Sequence, residues 1–198
     1  MFFKFDLLTS ALSLIFLVES SVIAAEAEDR SSTTISLYGG PSSPTPLLNL
    51  VRLNIPELAS FYNITTALNR GIWTDSRFVA LELEGSVAFQ LESIQNTAFQ
   101  GATLIRWLEP PSNKVFKSSV ALGMGVSYAI NPPEIEIIVL PKTANLLMHV
   151  LIEFAADLDL SSTWQGLFRI HHRSGAYGLF SGVVGGSDYL CLGIRYRI

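Results

Sequence analysis

Apolar and polar positions alternate most cleanly in the last stretch of the sequence, Leu190 to Ile198 (LCLGIRYRI). Leu190, Leu192, Ile194, Tyr196 and Ile198 share one parity, and Cys191, Gly193, Arg195 and Arg197 share the other. Successive strand side chains point to opposite faces, so this segment has an oily face and a small or charged one. Oil outside and charge inside is the pattern of a transmembrane β-barrel wall. A strand running to the final residue is expected to close that barrel. Val120 to Ala129 repeats the pattern. Val120, Leu122, Met124, Val126 and Tyr128 lie on one face, and Ala121, Gly123, Gly125, Ser127 and Ala129 on the other. Large residues outside and small ones inside suit a narrow barrel with a filled lumen.

Six further segments complete the count. Ile35 to Tyr38 predicts a first strand. The Pro/Ser/Leu-rich stretch GGPSSPTPLLNLVRLNIPEL follows, read as a long loop with a strand or helical turn around 48–53, because prolines exclude a central strand from much of it. A second strand is expected over 59–67, a third over 78–90 (Val79, Leu81 and Leu83 out, Glu82 and Glu84 in) and a fourth over 102–108, ended by Pro110 and Pro111. Residues 131–144 read as a loop with its own short strand or as the start of the next one. The sixth strand spans about 145–158, with Met148, Val150, Ile152 and Phe154 out and His149, Glu153 and Asp157 in. The seventh spans 163–173, and the eighth 188–198. The expected fold is therefore all-β: an eight-stranded antiparallel transmembrane β-barrel with a filled lumen.

Composition agrees. Mean hydropathy is +0.39, and only 15% of the 198 residues are charged, against roughly 25% in a typical soluble domain. After the N-terminus no apolar run reaches the about 18 residues a membrane helix needs. The formal net charge of -4 argues against nucleic acid as a partner. The N-terminus, with Lys4, the apolar run Leu7 to Val18 and the small residues Ala24, Ala25 and Ala27, predicts a signal peptide over 1–25, with the barrel domain over 26–198. An uncleaved anchor is the alternative. Cys191 is the single cysteine, which excludes an intrachain disulfide.

Inward Glu82, Glu84, Glu153 and Asp157 can pair with inward Arg106, Arg169, Arg173, Arg195 and Arg197, plugging the lumen rather than lining a pore. A soluble barrel of lipocalin type would reverse the two faces, leaving alternate arginines outside and a full oily row inside the final strand. His171 and His149 also point inward. A metal site from them and an inward carboxylate would lack zinc-like spacing, so no metal and no cofactor is expected.

One group of residues breaks the oily face. His172 and Ser174 continue the outward parity of Trp164, Phe168 and Ile170, and Asp188 continues that of the last strand. Polar groups facing lipid are costly and call for a reason. With an even strand number and both termini in the periplasm, the loop 175–187 faces the cell surface and these residues lie near the outer leaflet. Serine needs a base within reach, and the base an orienting acid. Residues two apart on a strand point the same way, roughly 6.5–7 Å apart. Ser174 as nucleophile, His172 as base and Asp188 as orienting acid satisfy this logic. The glycine-rich loop contains no Asn or Gln, so backbone amides at Gly175 and Gly186 are the candidate oxyanion donors.

The pair His172–Ser174 near the end of a penultimate strand, with FRIHHRSGAYGLF…GGSDYLCLGIRYRI around it, resembles the lipid A 3-O-deacylases of the PagL type and a broader set of acyloxyacyl-hydrolase-like sequences. The resemblance is specific over about the last 35 residues. Elsewhere it is one of length, leader and alternation. It implies an outer-membrane serine esterase that removes an ester-linked acyl chain from lipid A. Lipopolysaccharide would be the substrate, with the active site in the outer leaflet, no cofactor, and a homodimer among the assembly states open to it. The chain departs from the family at two positions: Asp188 stands where Glu is usual, and Gly175 where Asn follows the serine. The competing expectation is a barrel without chemistry that binds lipid or a surface partner through its loops.

Overall fold

The computed structural model describes residues 33–43, 47, 49, 58, 60–75, 78–91, 96–108, 110, 117–158 and 163–198. The expected signal peptide and most of the expected turn at 48–53 lie outside them. Eight strands follow in chain order: β1 (Thr33–Ser43), β2 (Tyr62–Asp75), β3 (Val79–Leu91), β4 (Asn96–Trp107), β5 (Ser118–Ala129), β6 (Leu146–Asp157), β7 (Trp164–Ser174) and β8 (Gly186–Arg197). Each pairs antiparallel with the next, and β8 pairs with β1, giving a closed barrel. Closure removes every free sheet edge. No described helix is long and apolar enough to cross a membrane, which leaves spanning by strands open.

Three boundaries differ from the sequence expectation. β1 runs through Pro41 to Ser43. Ser42 N–H donates to the carbonyl of Phe61, the residue just before β2, so the N atom of its neighbour Pro41 points to the other side. There the β1–β8 register is interrupted at Gly40 and Pro41. A missing N–H costs no ladder bond at such a break. β2 extends to Asp75 by absorbing an irregularity between Gly71 and Trp73, and β4 starts at Asn96. Residues 131–144 hold no strand. They carry a short helix, α1 (Glu134–Val139), capped by Pro133, with Glu134 and Glu136 in its first turn. Acidic residues suit a helix N-terminus, and the alternation EIEI imitates a strand.

The inner face is polar and full. Glu153 sits fully buried among three arginines from three other strands: Arg106 at 2.9 Å, Arg195 at 2.5 Å, and Arg169. Arg169 also binds Glu84 at 2.7 Å and donates to Tyr38 Oη at 2.8 Å, while Arg106 binds Glu82 at 2.5 Å. Glu82, Glu84 and Glu153 balance Arg106, Arg169 and Arg195. A buried ion pair is tolerable only when each charge is met and its remaining hydrogen-bonding capacity used. Arg197 and Asp157 pair separately, at 3.1 Å, at the end that carries β1's start. Arg173 does not join the central network and instead binds Glu136 of α1.

The outer face is apolar. Leu122, Met124, Leu192, Ile105, Phe99 and Leu68 are all more than half exposed. Trp73, Trp107, Trp164 and Tyr196 stand exposed near the end carrying β8's last residues, with Trp164 and Tyr196 as cross-strand partners 4.8 Å apart. Tyr62 and Tyr128 stand exposed near the other end.

Candidate active site at the barrel rim

The register of β7 and β8 decides which residues meet. His172 lies directly opposite Asp188, and Ser174 opposite Gly186. On the far side of β8, Ser43 of β1 is the partner of Asp188. Paired residues share a face, so His172, Asp188 and Ser43 form one row across three strands on the outer wall. His172 Nδ1 and Asp188 Oδ1 are 2.8 Å apart. The carboxylate accepts, so Nδ1 is the protonated nitrogen and Nε2 remains for another partner. Asp188 is 3% exposed and Ser174 7%, so both are shielded although they lie on the outer face.

Ser174 sits two residues beyond His172, on the same side of the pleat. Its hydroxyl oxygen accepts from Ala176 N–H at 3.4 Å, and no hydrogen bond joins it to His172. The loop from Gly175 to Gly185 explains this placement. It turns at once into a 3-10 turn, Ala176–Gly178, and doubles back so that Gly175 N–H donates to Gly185 O at 3.1 Å. A Cβ at Gly175 would sit 2.0 Å from Val183 O, so only glycine fits against the returning chain. Ala176, Tyr177 and Ser181 all hold positive φ, a conformation that costs non-glycine residues about 1–3 kcal/mol each and persists only where the surroundings impose it. Tyr177 and Leu179 project outward, almost wholly exposed.

Of the two backbone amides expected to receive an oxyanion, that of Gly175 is committed to Gly185 O. Gly186 lies in the ladder beside Ser174, its Cα against Arg173 O, where a Cβ would come within 2.1 Å. His149 and His171 lie inside the wall, with rings 4.4 Å apart. His171 Nε2 meets Gln100 Nε2 at 3.1 Å, and His149 Nδ1 donates to His172 O at 3.3 Å. Among the described residues no three His, Cys, Asp or Glu side chains gather in a metal-holding group. A groove of about 370 Å³ on the outer wall, lined by Ile35, Thr66, Leu68, Gly85 and Val87 among others, lies on β1 to β3 rather than at this rim.

Sequence reasoning missed two site residues. Ser43 fell in a stretch read as loop because of its prolines. Glu136 fell in a segment read as loop or strand, and its contacts depend on which strands the closed barrel brings beside it. Compared with protein-family models and with curated proteins, the chain finds no match in either.

Proposed function

We propose that the chain is an outer-membrane serine esterase that cleaves an ester-linked acyl chain from lipid A in the outer leaflet. The observation that carries this reading is the His172 Nδ1–Asp188 Oδ1 bond of 2.8 Å on the outer wall, with a serine two residues along the same strand. A histidine and aspartate facing hydrocarbon are expensive without a task. The apolar outer band, the aromatic residues near both ends and the charge-filled interior support insertion in a bilayer. The resemblance of about the last 35 residues to lipid A deacylases supplies the substrate class.

In this mechanism Ser174 turns about χ1 from Ala176 N–H toward His172 Nε2 as the ester arrives, since catalytic contacts commonly tighten only when substrate binds. Ser174 Oγ attacks the ester carbonyl carbon and its proton passes to Nε2. Asp188 holds Nδ1–H and stabilises the imidazolium that forms. Collapse of the tetrahedral intermediate expels the sugar hydroxyl, which takes the proton from Nε2 and leaves an acyl-serine. Water, deprotonated by the same imidazole, then releases the fatty acid. Backbone amides of the loop supply the oxyanion donors once the loop adjusts around substrate.

The second reading, a barrel that binds lipid without cleaving it, is favoured by one observation. The Ser174 hydroxyl binds Ala176 N–H and so serves the loop turn. Mass spectrometry of lipid A from Gram-negative cells separates the two, using wild type and Ser174→Ala with both barrels shown to be folded in the outer membrane. The esterase reading expects loss of one hydroxyacyl mass with wild type alone. Identical spectra would leave the binding reading in possession.

A further inference from the structure

The inner side of the wall behind His172, Ser174 and Asp188 carries a carboxylate that reaches both of their strands. Glu136 of α1 is fully buried. Its Oε2 accepts from Arg173 Nη1 at 2.5 Å, and its Oε1 accepts from Ser187 Oγ at 2.8 Å. Arg173 is the residue between His172 and Ser174, and Ser187 immediately precedes Asp188. Arg173 and Ser187 are themselves cross-strand partners, next to the His172–Asp188 pair. One carboxylate thus spans the adjoining rung from the opposite face. Arg173 is fixed further by donating to Ala144 O and Asn145 O, both at 2.6 Å.

The barrel ladder holds β7 and β8 together along their length. Its last rungs, Arg173 with Ser187 and Ser174 with Gly186, lie at the end where both strands depart into the 175–185 loop. That end is where the site lies and where Glu136 binds. We propose that Glu136 is a positioning residue for the rim site. It sets the spacing of the last β7–β8 rungs, keeps His172 Nδ1 on Asp188, and so turns Nε2 toward Ser174. The catalytic consequence rests on the esterase reading, whereas the effect on the His172–Asp188 pair does not.

The test uses the full barrel in detergent micelles, with folding checked by its shifted migration in cold SDS gels. Glu136→Gln keeps the shape of the side chain and removes its charge. Steady-state deacylation and the proton NMR signal of His172 Nδ1–H are then followed. A misplacement of about 1 Å costs roughly 10²-fold in rate, so kcat is expected to fall roughly 10- to 100-fold with KM unchanged. The Nδ1–H signal should broaden and move upfield. Ser187→Ala, which removes only the bond on the Asp188 side, should move both readouts in the same direction by less. Thr143→Val removes the remaining side-chain bond to the Glu136 carboxylate, donated from Thr143 Oγ1, and should move both readouts by no more than Ser187→Ala does. Gly85→Ala, on β3 in open space, should leave both readouts at wild-type values. Wild-type kcat and signal in folded Glu136→Gln and Ser187→Ala would overturn the proposal, as would an equal loss in Gly85→Ala. If Glu136→Gln does not fold, Ser187→Ala decides. A wild-type barrel with no hydrolysis at all would remove the esterase reading, and the NMR comparison would decide the positioning role alone.

Discussion

His172 and Asp188 face each other across the β7–β8 ladder, Nδ1 to Oδ1 at 2.8 Å, although both strands otherwise turn mostly apolar side chains to that face. Asp188→Asn keeps the shape of the side chain and lets the amide donate to Nδ1, which favours the wrong tautomer. In a Ser-His-acid arrangement such a change costs on the order of 10⁴-fold in kcat. Asp188→Asn should therefore deacylate at or near background while migrating as a folded barrel. An Asp188→Asn barrel with wild-type turnover would remove Asp188 from the mechanism.

The apolar outer band gives a test of membrane insertion independent of catalysis. Met124 lies at mid-height of β5 and is 63% exposed. Met124→Arg should cost about 2–4 kcal/mol in lipid vesicles, the range for arginine at a bilayer midplane. On a water-facing surface the same change should fall within about 0.5 kcal/mol. Urea unfolding of the barrel in vesicles measures the difference.

Arg169 binds Glu84, Glu153 and Tyr38 at once. Arg169→Met leaves carboxylates buried with fewer counter-charges, and breaking such a pair costs about 3–5 kcal/mol. The urea midpoint should drop accordingly, and Glu84→Gln added to Arg169→Met should recover part of the loss. Additive destabilisation of the two changes would show that Glu84 and Arg169 do not depend on each other.

Two glycines in the wall should differ in their tolerance of an added side chain. A Cβ at Gly125 would meet Gly101 O at 1.9 Å, whereas one at Gly85 meets nothing within 4 Å. Gly125→Ala should destabilise by about 1–3 kcal/mol, the usual cost of overpacking, and Gly85→Ala should stay within about 0.5 kcal/mol. Thermal unfolding in detergent ranks them, and equal stabilities would contradict the close β4–β5 approach.

Strand count, face assignment and the opposition of His172 to Asp188 were legible in the sequence, because each follows from a period of two carried over enough residues to define a face. The far end of β1 was not, because Pro41 reads as a terminator unless it is known that its missing N–H falls at a gap in the ladder. The helix α1 was hidden by alternation: Ile135 and Glu136 are both buried, one against the Tyr38 and Tyr189 cluster and the other on Arg173, which no local pattern encodes. The engagement of Ser174 with Ala176 depends on a loop held at positive φ by its own return path, a constraint visible only once Val183 lies against Gly175.

β7 encodes two devices in one reading frame. Odd residues Arg169, His171 and Arg173 fill the lumen or anchor α1, and even residues His172 and Ser174 make the rim site. A strand that slips by one residue sends every side chain to the other face. Deleting Leu167 or Phe168 would therefore turn Arg169 and Arg173 to the outside and His172 and Ser174 to the inside together. The interior ion pairs thus act as a proofreading constraint on the rim: a barrel that closes with its charges matched has, by the same register, already set His172 beside Asp188.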